Sequence, residues 1–295
     1  MYLARTRRKK GGTKMSVSED GFVGRSEVEV RIAATIDDYA TAFRIAYDVY
    51  HPKGFTAFSP YGMRATVYQL HPSALILLAY HKGNPIATLS LYEENGGKLP
   101  SASGWPGELA DFQRRGIKAF ELGTLMSLPD AQEAGGSRVC LEMFRVAWRY
   151  ARCLRNADAL CAFVQAHHEA FYTKIFRFRR FGEPRNYEWN GLQIAGVAPL
   201  IMDLNGAEEE FRQRYNRYEE SARNLYRFFV IDRQKEIADM LIADLRKRDQ
   251  LDWNQLQALA APLLQSETDE SDTADEEETV ENVLTMEQPV YANAL

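Results

Sequence analysis

The chain has 295 residues, of which 45% are hydrophobic, so it is long enough to bury a substantial core. Its net charge of -5 hides a strong segregation: residues 1–14 carry six basic and no acidic side chains, whereas residues 266–282 carry nine acidic and no basic ones. Charged runs at chain ends are typical of solvated tails, and we expect disorder over residues 1–24 and 266–295. The acidic balance and the lack of a nucleic-acid-binding motif argue against a nucleic-acid partner.

The cysteine pattern and the hydropathy further limit the classes of protein to which the chain can belong. Cys140, Cys153 and Cys161 are odd in number and have the spacing of neither a zinc site nor a disulfide framework, so we predict a reduced protein without a metal. The sequence has no apolar run of about 18 residues, the length that crosses a bilayer. No apolar segment follows the basic N-terminus, as it would in a secretory signal. We therefore predict a cytoplasmic protein.

The first elements predict a strand, a helix and a strand hairpin. Residues 28–34 alternate apolar and polar side chains, as a half-buried strand does. Thr35, followed three residues later by Asp38, predicts a capped helix that ends near Tyr50. The stretch 54–63, rich in glycine and aromatic residues, predicts a loop that could form a lid. Residues 73–80 and 86–92 predict two strands joined by a turn.

The centre of the chain reads as strand, glycine-bearing loop, long helix, strand and short helix. The strand over 117–126 is apolar except for one carboxylate, Glu121. The loop contains residues 135–138 and leads into a helix that ends near Leu154. Glycines and a helix N-terminus together suit a phosphate group, although a Gly-Gly pair is also common in ordinary turns. A strand over 159–164 and a helix with His168 and Tyr172 follow.

The last elements complete the predicted fold. Further strands near 185–193 and 198–204 give a mixed sheet of about seven strands flanked by helices, an α/β (α+β) domain over residues 25–205. Residues 206–265 predict a helical extension, with one long charged helix over 207–248 and a second helix over about 252–265. This extension would pack on the domain or on a second copy of the chain.

A spaced series of residues between about 38 and 204 carries a resemblance to a known family. The series comprises Phe43-Arg44, Tyr47, Tyr50, residues 86–91, Leu99-Pro100, Glu108-Leu109, residues 114–116, Glu121-Leu122, residues 168–172, Phe178, Gly182, Tyr187 and residues 202–204. On these residues the chain resembles the long-chain N-acyl amino acid synthases (FeeM-like) of the GNAT acyltransferase superfamily. These synthases are related to the acyl-homoserine lactone synthases.

The resemblance implies a fold and an activity. The GNAT fold has two neighbouring strands that splay apart, and the acyl-pantetheine arm of the donor enters the gap. The implied reaction moves a long acyl chain from a thioester on acyl carrier protein or coenzyme A to the amino group of an amino acid, with no permanently bound cofactor. By the same resemblance, the residues that would hold the arm and its phosphate are Leu125, Met126, Gly135, Gly136, Ser137 and Arg138.

Amide formation needs a deprotonated amine, a polarised thioester carbonyl and a proton or charge partner for the departing thiolate. Glu121 is the candidate base, acting directly or through water, because burial would raise its pKa. It could equally be a structural carboxylate paired with an arginine such as Arg44. Tyr172 is the candidate acid for the thiolate, and its alternative is a packing role.

Four further residues are candidates for binding the acceptor. Arg44 could hold an amino-acid carboxylate through two parallel hydrogen bonds, or form a surface ion pair. Tyr47, Thr124 and His168 complete the predicted set, although His168 could instead order the turn before its helix. Thr124 stands where the lactone synthases are expected to have an arginine, which favours a plain amino acid over S-adenosylmethionine.

The region 138–185 contains ten basic and four acidic residues. Arg145, Arg149 and Arg152 share one predicted helix face, which would suit an acidic acyl carrier protein or simply face solvent. A long-chain product could be released at a membrane surface. The remaining alternatives are acyl transfer from coenzyme A to another amine, and an inactive GNAT-like scaffold whose working parts are residues 206–265 and the acidic tail.

Overall fold

The computed structural model describes residues 27–94, 99–189, 192–218 and 224–268. The predicted disorder of residues 1–24 lies outside this part of the chain, as does that of the tail 266–295 except for residues 266–268, where the prediction is wrong because the last helix runs to Thr268. None of the described helices is long and apolar enough to cross a membrane.

A mixed sheet of eight strands forms the centre of the molecule. The strands are β1 (Val28–Ile32), β2 (Leu75–His81), β3 (Asn84–Glu93), β4 (Ala119–Ser127), β5 (Ala159–Gln165), β6 (Arg179–Arg180), β7 (Arg185–Trp189) and β8 (Leu192–Asp203). Their order is β1-β2-β3-β4-β5-β8-β6, and β7 also pairs with β8. Only β4 and β5 run parallel. The predicted mixed sheet is confirmed, and the strand beyond the predicted seven is the two-residue β6.

In the described part of the chain seven α-helices flank the sheet. They are α1 (Ile36–Tyr50), α2 (Pro106–Arg114), α3 (Ser137–Arg149), α4 (Ala166–Ile175), α5 (Ala207–Tyr215), α6 (Gln234–Arg248) and α7 (Trp253–Thr268). The predicted cap of α1 is confirmed: Asp38 N–H donates to Thr35 Oγ1 at 3.2 Å, and Thr35 N–H donates to Asp38 Oδ2 at 3.0 Å. A π-helical turn over Tyr150–Leu154 extends α3, and a second one over Arg227–Ile231 precedes α6.

The two faces of the sheet bury different sets of helices. Phe120 and Leu122 of β4 belong to a core that also contains Phe144 of α3, on what we call the α3 face. Because side chains alternate along a strand, Ala119 and Glu121 point to the opposite face, which α1, α2 and α7 cover. We call this the α1 face.

The C-terminal helices are part of both cores. The prediction of one long helix over 207–248 is wrong, since α5, the π-helical turn and α6 are separate elements. Phe229 and Leu241 join the core of the α3 face, whereas Leu256 of α7 joins that of the α1 face. Asp244 Oδ2 accepts a hydrogen bond from Ile32 N–H at 3.1 Å and fastens α6 to the edge strand β1. The described part of the extension therefore packs on its own domain.

Candidate active site

The parallel strands β4 and β5 separate along their length. Their pairing runs from Ala119–Ala159 to Leu122–Ala162 and ends there. Beyond this point β4 continues to Ser127 beside β3, and β5 continues to Gln165 beside β8. A gap therefore opens after Leu122. Over the described residues no strand pairs with this edge of β4, so its backbone hydrogen bonds are left to water or a ligand.

A bulge bends β4 where the gap begins. Ser90 of β3 pairs with Gly123 and Thr88 pairs with Met126, so β4 holds one residue more than β3 in this interval. Thr124 has a φ of 48°, a left-handed conformation that is unusual for a β-branched residue. Its Oγ1 lies 3.1 Å from the Tyr92 hydroxyl. The bulge thus turns Thr124 towards Tyr92 on the α1 face.

Glu121 pairs with Cys161, one pair before the pairing of β4 and β5 ends. It is 4% exposed and accepts hydrogen bonds from Ser101 Oγ at 2.8 Å and from Ser101 N–H at 3.1 Å. Burial raises the pKa of its carboxyl to about 7, and the two bonds from Ser101 act in the opposite direction. The alternative pairing with Arg44 is wrong: Arg44 is exposed and has no acidic partner within ion-pair distance among the described residues.

Tyr172 lies on the other face of the sheet from Glu121. Its ring packs against Phe144, Phe176 and Phe178 in the core of the α3 face. Burial, together with Cys140 and Tyr50, raises the pKa of its phenol far above the usual range. Among the described residues no hydrogen bond joins Tyr172 to Glu121. Because α4 follows β5 directly, Tyr172 lies beyond the end of β5 that borders the gap.

The loop that follows α1 lies beside the start of α4. Burial, His167 and the positive charge of Lys53 lower the pKa of His168 to about 4, so this imidazole is neutral at physiological pH. Tyr47 stacks on His51 with ring centres 4.8 Å apart, and its hydroxyl accepts a hydrogen bond from Ser59 N–H at 3.4 Å. The predicted acceptor residues Tyr47 and His168 thus both border this loop.

The predicted phosphate loop is a glycine turn at the N-terminus of α3. Gly135 and Gly136 have φ values of 88° and 39°, which favour glycine. The N–H groups of Gly135, Gly136 and Arg138 donate to carbonyls within the turn. The Arg138 guanidinium binds Glu142, with Nη2 and Oε1 2.9 Å apart. A phosphate bound here would have to draw Arg138 away from Glu142.

Leu125 and Met126 flank the open edge of β4 on its two sides. Leu125 packs against the core of the α3 face, and Met126 is buried in the core of the α1 face. Their side chains therefore form the walls beside the gap, and their backbone lies along it.

The predicted docking or solvent-facing surface on α3 is wrong for Arg145 and Arg149, whereas Arg152 is half-buried in the π-helical turn that extends α3. Arg145 is buried and donates to Phe228 O at 3.4 Å, and Arg149 donates to Val230 O at 2.6 Å. The π-helical turn over Arg227–Ile231 covers these arginines because its carbonyls accept their hydrogen bonds. Within residues 138–185 the exposed basic residues are Lys174, Arg177, Arg179, Arg180 and Arg185. The four arginines form ion pairs with Glu108, Glu169 or Glu210.

Two residues beside the site were not predicted from the sequence: Ser101, which hydrogen-bonds Glu121, and Tyr92, which hydrogen-bonds Thr124. Ser101 lies in a 3-10 turn over Pro100–Ser103, next to the Leu99-Pro100 pair that carries part of the family resemblance. A serine in a Gly/Ser/Pro-rich loop gives no signal of its own, because such residues are common in loops.

The mixed sheet, with a gap that opens beside its parallel strand pair, has the architecture of the GNAT fold, and the buried Glu121 lies next to the start of the gap. The family model for the N-acyl amino acid synthase FeeM matches residues 41–196, more than half of the chain. The chain belongs to this family, and it is an acyltransferase.

One solved structure supports the fold, and a second is reported as similar. The structure of FeeM, an N-acyl amino acid synthase from uncultured soil microbes, is 20% identical, with a TM-score of 0.52 over 62% of this chain and 94% of that one. The acyl-homoserine lactone synthase LasI is 16% identical, with a TM-score of 0.48 over 61% of this chain and 91% of that one. No curated protein matches the sequence.

Proposed function

We propose that this acyltransferase moves a long acyl chain from a phosphopantetheine thioester, on acyl carrier protein or coenzyme A, to the amino group of an amino acid. The observation that carries the proposal is the gap between β4 and β5, which opens after Leu122, the residue next to Glu121. A pantetheine arm carries amide groups, and amides can pair with an open strand edge as an added strand does. Leu125 and Met126 flank that edge.

Glu121 acts as the base for the acceptor. A carboxyl with a pKa of about 7 is partly ionised at neutral pH and can take a proton from an ammonium group, directly or through water. The freed amine attacks the thioester carbonyl, and the C–N bond forms. The nitrogen then loses a second proton, which balances the proton that the departing sulfur gains, so the net proton released is the one taken by Glu121. Backbone N–H groups along the open edge of β4 are the candidate donors to the developing oxyanion.

The thiolate leaves when the C–S bond breaks, and Tyr172 is the candidate proton donor. Its raised pKa keeps the phenol protonated, so that it can donate a hydrogen bond to the departing sulfur. Full proton transfer is uphill, because an ordinary thiol has a pKa of about 8.5. Because Glu121 and Tyr172 lie on opposite faces of the sheet, the amine would lose its proton on one side of the gap and the sulfur would gain one on the other.

The exposed basic residues after α3, from Lys174 to Arg185, are the candidate contacts for an acidic carrier protein. The neutral His168, Tyr47 and Thr124 remain candidates for the acceptor side. We place the reaction in the cytoplasm. A long-chain N-acyl amino acid is amphiphilic, so the released product would bind to a membrane surface.

The test is product analysis by mass spectrometry. Purified protein is incubated with long-chain acyl carrier protein or acyl-coenzyme A and a pool of the common amino acids, and thiol release is followed in parallel. We expect an N-acyl amino acid, and we expect Glu121→Gln to lower its rate by about a hundredfold or more. Glu29→Gln, on the exposed edge of β1, is the matched control. No thiol release with either donor, or an unimpaired Glu121→Gln, would contradict the proposal.

A further inference from the structure

The carboxyl of Glu121 depends on a short turn outside the sheet. The two hydrogen bonds that stabilise its charged form both come from Ser101, whose Oγ lies 2.8 Å from Oε1 and whose N lies 3.1 Å from Oε2. Ser101 belongs to the 3-10 turn Pro100–Ser103, which precedes α2. The position of this turn relative to β4 therefore decides how well the carboxylate is stabilised.

Tyr187 of β7 contacts the same turn. Its hydroxyl donates to Pro100 O at 3.1 Å, whereas Ser103 Oγ lies 3.5 Å from that hydroxyl, at the long limit of a hydrogen bond. Tyr187 is 7% exposed, and burial raises the pKa of its phenol, which therefore stays protonated as a donor. The side chains of Ser101 and Glu121 also act on this phenol, so its hydroxyl lies close to both.

The chain around Tyr187 adds two further bonds to the region of the turn. Trp105 Nε1 donates to Glu183 O at 3.2 Å, and Arg185 Nη1 donates to Gly104 O at 2.8 Å. The rings of Trp105 and Tyr187 also pack together, with their centres 5.5 Å apart. The turn is therefore joined both to β4, through the serine, and to the chain at the start of β7.

The other titratable groups beside Glu121 are neutral at neutral pH. Cys161 of β5 pairs with Glu121, and burial raises the pKa of its thiol. Burial likewise raises the pKa of the Tyr92 phenol of β3. Because neutral groups act only weakly on a carboxylate, the bonds from Ser101 are the main influence that opposes burial.

We propose that Tyr187 is a positioning residue for the base: its hydroxyl holds the turn in the place from which Ser101 reaches Glu121. The inference rests on the proposed function, in which Glu121 takes a proton from the acceptor. Without the hydroxyl, the bond to Pro100 O is lost and the turn can move away from β4, so the two bonds from Ser101 lengthen. The carboxylate is then less stabilised, and a higher pH is needed to ionise the base.

The test follows Glu121 itself. Protein labelled with carbon-13 at the glutamate carboxyls is titrated by NMR, and the signal that is absent from Glu121→Gln is assigned to Glu121. Tyr187→Phe keeps the ring and removes the hydroxyl, and we expect it to raise the pKa of Glu121 by about half a unit to one unit. A pKa that stays in place or falls would contradict the proposal.

Tyr215→Phe is the matched control for this variant. Tyr215 is also 7% exposed, and its hydroxyl donates to a backbone carbonyl, Ile175 O, at 2.8 Å. It lies in the core of the α3 face, so its loss should reduce stability by a similar amount and leave the titration of Glu121 unchanged. An equal shift in both variants would show a general loosening of the fold and would overturn the specific role of Tyr187.

The pH–rate profile tests whether Tyr187 acts through Ser101. The acidic limb of kcat/KM should move to higher pH in Tyr187→Phe by the same amount as the pKa of Glu121. In a Ser101→Ala background the move should be smaller, since only the N–H bond of residue 101 then still depends on the turn. Shifts that add fully would show that Tyr187 acts independently of Ser101.

Gly104→Ala tests the same contact and leaves the tyrosine and the serine in place. A Cβ at Gly104 would lie 2.7 Å from Cδ2 and 2.9 Å from Cε2 of Tyr187, so the ring must move. We expect the pKa of Glu121 to rise here as well, and this variant serves if Tyr187→Phe does not fold. Gly107→Ala, whose Cβ would meet no atom within 4 Å, should leave the pKa unchanged.

Failure of the proposed function has a different signature. If wild-type protein makes no amide with any donor, the NMR titration still reports on Glu121. A pKa that rises in Tyr187→Phe and Gly104→Ala would then support the positioning role without the reaction. A pKa that is unchanged in both variants would overturn the positioning role, whether or not the wild-type protein acylates amino acids.

Discussion

The acidity of Glu121 depends on two opposing effects, its burial and its hydrogen bonds with Ser101. Burial raises the pKa of its carboxyl, and the two hydrogen bonds from Ser101 lower it, with a result of about 7. The sequence predicted Glu121 because it is the only carboxylate in an apolar strand. It could not predict Ser101 as the partner, because the turn that delivers this serine is brought to β4 only by the fold.

We predict that Ser101→Ala shifts the acidic limb of the pH–rate profile to higher pH. The Ser101 hydroxyl stabilises the charged carboxylate, so its loss raises the pKa of Glu121. The rate should then rise at a pH that is higher by about one unit. The measurement is kcat/KM for the amino acid as a function of pH. Ser103→Ala, in the same turn, is the control and should leave the profile in place. A limb that moves to lower pH would refute this role of Ser101.

Glu121 also makes stability depend on pH. Its folded pKa of about 7 exceeds the ordinary 4.5, so its contribution to stability is fully present below the unfolded pKa and is lost as the pH rises through the folded pKa. The free energy of unfolding in urea should therefore be the same for Glu121→Gln and wild type at about pH 4. At about pH 8 it should be higher for Glu121→Gln by about 3 kcal/mol. A difference that does not grow with pH would show that the carboxyl titrates normally.

At the scale of elements, the bulge in β4 shapes the entrance of the gap. Gly123 lies against Tyr92, and a Cβ added there would be 2.7 Å from Tyr92 Cε2. The glycine therefore allows the ring to lie flat on the strand and its hydroxyl to reach Thr124. The sequence predicted the strand from its apolar character, but a one-residue bulge leaves no mark on that pattern.

We predict that Gly123→Ala destabilises the protein by about 1 to 3 kcal/mol, because the Tyr92 ring must move. Acyl transfer should also slow, since the Tyr92–Thr124 contact is lost. Gly107→Ala is the matched control: its added methyl group meets no atom within 4 Å, and alanine is favoured in the helix α2. Urea unfolding and the transfer rate are measured for both. Equal stability of the two variants would contradict the proposed packing.

The arginine face of α3 shows which features of a helix its sequence can predict and which it cannot. Helical periodicity correctly places Arg145 and Arg149 on one face, but periodicity cannot say what covers a face. Here the covering element is the turn over Arg227–Ile231, which follows α3 by about eighty residues. The guanidinium carbon of Arg145 lies 4.1 Å from the centre of the Phe228 ring in this turn. The long-range contact turned an expected docking surface into part of the interior.

At the scale of the whole molecule, the chain outside the family match completes the fold. The match ends at residue 196, whereas α6 and α7 lie beyond it and pack against opposite faces of the sheet. The sequence predicted that this segment is helical. It left open whether the helices cover this chain or a second copy, because an amphipathic pattern shows that a face is buried but not against which partner.

We predict that Leu256→Ala lowers the free energy of unfolding by about 2 to 5 kcal/mol, as expected for a fully buried leucine. Leu259→Ala in the same helix should cost less, because Leu259 is only partly buried. Urea unfolding of both variants gives the comparison. If Leu256→Ala unfolds like wild type, α7 is not part of the core.

The most direct measurement of the central claim is amide hydrogen exchange with a non-reactive donor. A thioether analogue of a long-chain acyl-pantetheine is added, and exchange along β4 is followed by mass spectrometry. If the arm pairs with the open edge of β4, amides within residues 123–127 become protected, whereas residues 119–122, already flanked by β3 and β5, change little. Exchange over 123–127 that is unaffected by a saturating analogue would show that the donor does not bind in the gap.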